Sequence, residues 1–239
     1  MLVAQLHFVR MRIETGSAIA DARARQAAIA RIDDLCADIE AADRALARLP
    51  RPDLDEAARH LAHVHYLLGQ SWRRHLAGVT SDASLIGAVV HAVAFDTERL
   101  RDQLGAGIRA SVPGLTRRTD DAFGLSCAVC PADAVHFSVT RTATGAPQQV
   151  VMTSLSPVTV FRPVAGPRMH DLLALLEAGD GAAVVRHLVE VHPGGCDAHC
   201  PACDRPFCRT HSAIEAQWSG SWHEATYATC PLGHQRTID

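Results

Sequence analysis

Cys200-Pro-Ala-Cys203-Asp-Arg-Pro-Phe-Cys208-Arg-Thr-His211, followed 18 residues later by Cys230-Pro-Leu-Gly-His234, is the stretch on which the reading of this chain turns. It holds three metal-ligand pairs within 35 residues, and a fourth pair, Cys127-x2-Cys130, lies upstream. Thiolate and imidazole suit zinc, and a pair two or three residues apart lets one tight turn present both donors to one ion. Eight such donors in four pairs are what two tetrahedral zinc ions need. Pro201 and Pro231 directly follow the first ligand of their pairs, and Gly233 stands beside His234. Those residue types favour sharp turns. The C-terminal half is therefore expected to be organised by metal.

Upstream, residues 1–110 read as helices. Ile32, Leu35, Ile39, Ala42, Leu46 and Leu49 alternate three- and four-residue steps, the apolar seam of a coiled-coil-like helix. Gly16-Ser17 marks its start or a kink, and Arg51-Pro52 ends it. Asp53 with Glu56 forms a capping box for a second helix, striped by Leu54, Ala57, Leu61, Val64, Leu68 and Trp72 and stopped by Gly78. A third runs from about Asp82 to Leu104, with Leu85, Val89, Val93 and Leu100 inward and Gly105 as terminator. Three amphipathic helices with short connections favour an antiparallel bundle.

Residues 111–123 read as a linker. Ala134–Thr142 and Gln148–Thr153 alternate like a hairpin around Thr144-Gly145-Ala146-Pro147, and Val158–Arg162 reads as a third strand. Met169–Glu177 and Ala182–His192 read as helices. Residues 124–193 then form a strand-rich subdomain with a zinc knuckle, and 194–239 a C-terminal zinc finger.

Composition narrows the function. The 239 residues are 48% hydrophobic and 21% charged, with a formal charge of −3. That gives no basic footprint for nucleic acid. Residues 190–239 carry six acidic side chains against three Arg, and each Cys3His zinc site would add a further negative charge. The chain has no Lys and no Asn but 23 Arg, the codon pattern of a high-GC bacterial genome. The lack of Lys rules out a catalytic lysine or a Walker-type phosphate loop. No signal peptide is legible in Met1–Val9, and no apolar run reaches ~20 residues. A cytoplasmic location follows, where clustered Cys bind metal rather than pair as disulfides.

The order of pairs, C-x2-C, a 69-residue gap, C-x2-C-x4-C-x2-H, 18 residues, then C-x3-H, resembles the cross-brace zinc domains of the treble-clef family, which includes PHD, FYVE and RING fingers. The x4 spacing is PHD-like or FYVE-like. The 69-residue gap, where those families have a short loop, and His at two pair-final positions depart from the pattern. The resemblance implies that pairs one and three share a metal, giving Cys127, Cys130, Cys208 and His211, and that pairs two and four give Cys200, Cys203, Cys230 and His234. A rival pairing stays open: Cys127 and Cys130 precede a hairpin and a helix bearing His187 and His192, which resembles an enlarged C2H2 finger. Those two His are five apart, about 140° around an ideal helix, so that pairing requires a distorted helix end. The fold class expected is α+β: a helical bundle followed by a zinc-stabilised α+β domain with treble-clef or zinc-ribbon knuckles.

Other residues carry weaker signals. Glu56 and His60, spaced i,i+4, could share a metal in the bundle, or simply pair on a helix surface. Trp218, Trp222 and Tyr227 lie between the third and fourth pairs, where aromatics pack a small core or, in some PHD fingers, cage methylated lysine. Cys36 sits beside the first helix's seam as a buried thiol. Cys196 and His199, just ahead of the second pair, could substitute for a ligand, and no orienting motif supports catalysis by them.

Catalytic zinc keeps one position for water, and four protein ligands leave none. The sequence thus points to an adaptor or scaffold in which two structural zinc ions present a protein-interaction surface, with the N-terminal helices serving self-association or a protein partner. The alternatives are a RING-like ligase or conjugation adaptor in a bacterial ubiquitin-like pathway, and a nucleic-acid-binding zinc ribbon, which the acidic finger disfavours.

Overall fold

A computed structural model describes residues 3–16, 19–80, 83–155, 162–164, 167–191 and 195–238. The chain is α+β, with helices in its N-terminal part and antiparallel sheets in its C-terminal part. It divides into two compact units, Met1–Ala106 with Pro231–Gly233, and Gly107–Cys230 with His234–Asp239. Among the described residues no helix is long and apolar enough to cross a membrane.

The first unit is helical. Helix α1 (Ala4–Thr15) buries Leu6, Val9 and Ile13, and α2 (Ala22–Leu46) buries Ile32, Leu35, Ile39, Ala42 and Leu46. The N-terminus of α2 is capped by the Asp21 carboxylate, which accepts from Ala24 N at 2.6 Å. Asp53 caps α3 (Leu54–Leu67), accepting from Glu56 N at 3.0 Å. The stripe of α3 packs on α2. The single helix expected beyond Asp53 is two helices. The break falls at Leu68-Gly69, where Gly69 is extended (ψ 167°) and starts α4 (Gln70–Val79). A residue with that ψ cannot continue the i→i−4 ladder. Helix α5 (Ala83–Ala110) buries Leu85, Val89, Val93, Leu100 and Leu104 and runs on past Gly105, where a stop was expected. The start expected at Asp82 lies outside the described residues; at the start or kink expected at Gly16-Ser17, Gly16 is extended (ψ 169°) and ends α1, while Ser17 lies outside them. The buried Asp96 of α5 accepts from Leu6 N at 3.1 Å, holding the first turn of α1.

The second unit opens with a five-stranded antiparallel sheet in chain order, β1 (Leu115–Thr119), β2 (Ala122–Ser126), β3 (Asp133–Arg141), β4 (Pro147–Thr153) and β5 (Arg162–Val164). Phe123 faces Phe137 across β2–β3, and Phe137 faces Met152 across β3–β4. These residues, with Leu125, Val135, Val139 and Val150, are buried. Each such side chain contributes roughly 1.5–3 kcal/mol on burial. Helices α6 (Pro167–Ala178) and α7 (Gly181–Val191) pack together, and α6 lies against β1 and β4. A Cβ on Gly181 would fall 2.4 Å from the Pro113 carbonyl oxygen, so only glycine fits where α7 begins.

The stretch expected as a linker, 111–123, holds β1 and the turn into β2. Its Leu-Thr-Arg-Arg-Thr reads as a charge run because β1 is an edge strand whose side chains are mostly exposed. Of the third strand expected at Val158–Arg162, residues 158–161 lie outside the described set, and the strand seen is Arg162–Val164.

The chain ends in a two-stranded ribbon, β6 (His199–Cys200) with β7 (Arg205–Pro206), a 3-10 turn (Arg209–His211), and a three-stranded sheet ordered β10-β9-β8. Strands β8 (Ala213–Ser219) and β9 (Trp222–Thr229) form a hairpin, and β10 (Gln235–Thr237) adds to β9. Gly220, at φ +61°, takes the first position of the two-residue turn Gly220-Ser221, a conformation glycine supplies without strain.

Candidate metal centres

Each donor pair sits where a short turn leaves a strand or ribbon. Cys127 and Cys130 lie in the loop joining β2 to β3, which is closed by Cys127 N donating to Ala132 O at 2.9 Å. Cys200 ends β6, and Cys203 lies in the turn to β7, with its N–H donating to Cys200 O at 3.2 Å. Asp204 completes that turn in the left-handed region (φ +52°), which Asp tolerates better than most residues. The 3-10 turn carries His211 back over Cys208, His211 N donating to Cys208 O at 3.0 Å. Cys230 N donates to His234 O at 3.1 Å, folding the last turn between β9 and β10.

The fold brings the pairs together as one with three and two with four. Cys127, Cys130, Cys208 and His211 form one set and Cys200, Cys203, Cys230 and His234 the other, with the ligand atoms of each set all within 4.8 Å of one another. In the first set Cys130 Sγ is 3.8 Å from Cys208 Sγ, and His211 Nδ1 is 3.6 Å from Cys127 Sγ and 3.2 Å from Cys208 Sγ. In the second, Cys203 Sγ is 3.7 Å from Cys230 Sγ, and His234 Nδ1 lies 3.8, 3.2 and 3.6 Å from Cys200, Cys203 and Cys230. Four donors on a tetrahedral zinc, with bonds of about 2.3 Å to sulfur and 2.0–2.1 Å to nitrogen, stand about 3.8 Å apart for S···S and about 3.6 Å for S···N. The donor sets fit such an ion closely, whereas a disulfide would bring the sulfurs to about 2 Å.

The charge logic agrees with the distances. The Cys208 thiol is pulled down to about 3, first by the hydrogen bond from Cys127, against burial, with His211 helping. Cys127 is pushed up by the same hydrogen bond and by burial. In the other set Cys200 is pulled down by hydrogen bonds from Cys203 and Cys230. Cys203 is driven up by its bonds to Cys200 and Cys230, and Cys230 goes up to about 11, first through Cys200. Burial and the hydrogen bonds between the thiols thus oppose ionisation of a whole set. A divalent cation is what would let all three sulfurs of a set ionise together. Backbone N–H groups already point at the sulfurs: Val129 and Cys208 at Cys127, Ala132 at Cys130, Cys203 at Cys200, His211 at Cys208 and His234 at Cys230.

The rival ligands stand elsewhere. His187 is half-buried and its Nε2 donates to the Arg168 carbonyl at 3.3 Å, joining α7 to α6. His192 lies outside the described residues. Cys196 and His199 belong to neither set. Burial pushes the Cys196 thiol up to about 11, and His199, itself buried, donates Nε2–H to Asp204 at 3.1 Å. Cys36 is buried on α2 and pushed up to about 12, chiefly by burial.

Two features escaped the sequence reading. Arg236 on β10 donates through Nε and Nη2 to the Asp197 carbonyl at 3.1 and 2.9 Å. Burial pushes its pKa down, while the neighbouring Cys200 and Cys230 push it up, so the chain keeps a cation beside the second donor set. A lone Arg two residues beyond His234 in an acidic segment was the available signal. The other feature is the β8–β9 hairpin, whose tip is exposed from Trp218 to Glu224. Trp222 is 79% and Trp218 52% exposed, and Tyr227 is half-buried. Trp218 pairs with His223 across the strands, their rings edge-to-face at 5.1 Å. Trp222 and Tyr227 line the opposite face.

Neither a curated protein nor a solved structure matches this chain. A family model covers residues 117–239, just over half the chain and both donor sets in full, so the chain belongs to the family described as a domain of unknown function, DUF8328.

Proposed function

We propose that the C-terminal half is a cross-brace module, related in plan to the treble-clef fingers, in which Cys127, Cys130, Cys208 and His211 hold one zinc ion and Cys200, Cys203, Cys230 and His234 a second. Both ions are structural, and the module serves as an adaptor that binds another protein through the β8–β9 hairpin. The helical part, residues 1–110, serves self-association or a second partner.

The observation that carries this reading is the pairing of two four-donor sets at tetrahedral spacing with a bare tryptophan hairpin between the last two donor pairs. Four protein donors close the coordination sphere, which favours scaffolding over hydrolysis. Trp is the residue most enriched where proteins bind one another, and a side chain as large as Trp222 is seldom left in water. Residues 212–235 contain no Arg or Lys and include Glu215 and Glu224, a charge balance unsuited to a phosphate backbone.

The test is retention of partners from native lysate by the tagged chain, with and without chelator, and by Trp222→Ala. A partner held by the native chain and lost in both other arms supports the reading. Retention unaffected by both treatments, or no partner at all, refutes it.

A further inference from the structure

A separate cluster lies on the helical unit, where α3 packs on α2. Glu56, His60 and His63 fall at i, i+4 and i+7 of α3 and so share one face. Opposite them, Asp38 of α2 is mostly buried and accepts from two imidazoles at once. His60 Nδ1 lies 2.8 Å from one of its oxygens and His63 Nδ1 2.6 Å from the other. An ionised carboxylate only accepts, so both rings carry their proton on Nδ1. Each Nε2 of a neutral ring is then a lone-pair donor. This is the arrangement by which a carboxylate orients a metal-binding histidine.

The Nε2 atoms do not lead to the same place. His63 stacks on Tyr66, one turn towards the end of α3. His60 Nε2 turns the other way and faces Glu56 Oε1 at 3.9 Å. That separation is too long for a hydrogen bond, so the two donors face each other without consuming one another. A cation bonded at about 2.0–2.1 Å to each would need them about 3.4 Å apart, a shift of roughly half an ångström. Glu56 is held as well: its second oxygen pairs with Arg48, which also bonds Asp53. Both atoms that would touch a metal are thus aimed from behind, His60 by Asp38 and Glu56 by Arg48.

We infer that Glu56 and His60 form a third, open metal site on the helical unit, taking a borderline divalent cation such as Zn2+ or Ni2+ with water in its remaining positions. Imidazole with carboxylate selects that class over Mg2+ or Ca2+. The site is unlike the Cys3His sets: it has two protein ligands, an exchangeable ion and room for an outside ligand. Asp38 acts as a positioning residue, and His63 shares Asp38 without touching the metal.

The experiment is calorimetric titration of Zn2+ into the full chain already loaded with two equivalents, with helix content followed by circular dichroism. A third, weaker equivalent is expected. It should vanish in His60→Ala and in Glu56→Gln, weaken about 10–100-fold in Asp38→Asn, and persist in His63→Ala. Glu56→Gln preserves shape, so its loss of the site cannot be put down to unfolding. No third equivalent in the native chain, or one that survives His60→Ala, overturns the site. Equal loss in His63→Ala overturns the assignment of its ligands.

Discussion

Replacing Cys208 by Ser tests the pairing of donors most directly, and the structure sets the size of the effect. Cys130 and Cys208 are 78 positions apart, and their sulfurs lie 3.8 Å from each other. A metal joining them closes a loop of about 79 residues, and the entropy removed from the unfolded chain is worth about 4.5 kcal/mol at 25 °C. In the second set Cys203 and Cys230 are 27 positions apart. The same relation gives about 3.6 kcal/mol for that shorter loop. Cys208→Ser should therefore reduce tightly bound zinc from two equivalents to one and destabilise the strand-rich unit by about 1 kcal/mol more than Cys230→Ser does. Either loss is a large share of the roughly 5–15 kcal/mol that holds a domain together. Elemental analysis gives the stoichiometry, and guanidinium unfolding followed by circular dichroism gives the stability difference. The reasoning fails if Cys208→Ser keeps two tightly bound ions, if His187→Ala loses one, or if Cys230→Ser proves the more damaging change.

Thiol labelling provides a second check. Of the eight cysteines, Cys36 and Cys196 are buried with thiols pushed up to about 12 and about 11 by burial, and the other six belong to the donor sets. The zinc-loaded chain should label at no cysteine, chelation should release six, and the last two should react only in denaturant; prompt labelling of Cys196 in the folded chain would contradict its placement. Trp222→Ala should leave the unfolding midpoint within the equivalent of about 0.5 kcal/mol, because the ring is 79% exposed, while abolishing partner retention. A large loss of stability would instead make that tryptophan structural. Burial raises the pKa of Asp96 above its ordinary value of 3.8, against the hydrogen bonds from Leu6 and Gln5 and the charge of His7. The folded state then binds the Asp96 proton more tightly than the unfolded state. The stability this residue contributes is fully present below pH 3.8 and is lost as pH rises through the folded value. Asp96→Asn should flatten that part of the stability–pH curve, and an unchanged slope would refute the burial argument.

The donor residues could be named from sequence because thiolate chemistry needs tight pairs, and tight pairs are local. Their grouping was not local. Joining Cys130 to Cys208 depends on how β2–β3 and the β6–β7 ribbon meet, through contacts such as Ala128 N donating to Pro206 O at 2.8 Å. No spacing rule encodes that meeting, so Cys208 with His211 and His187 with His192 both stayed open. The helices were legible from their apolar stripes, but the break at Gly69 was hidden because Trp72 and Leu76 continue a plausible periodicity while belonging to a new helix. The β8–β9 hairpin was missed for a different reason. Ala-Ile-Glu-Ala-Gln-Trp-Ser is half-buried or exposed along most of its length, so it lacks the alternation that burying one face imposes.

Strand β8 also ends its sheet: in the order β10-β9-β8 it has a neighbour on one side only among the described residues. A terminal strand offers its outer row of backbone groups to any other extended chain, including the same strand of another molecule. Evolution usually guards such borders with charge, and Glu215 is the single charged residue within β8. A carboxylate at that place opposes pairing of the strand with its own copy. Like charges repel when two copies approach edge to edge, so Glu215 is the position where a neutral or apolar replacement would turn this border into a seed for aggregation.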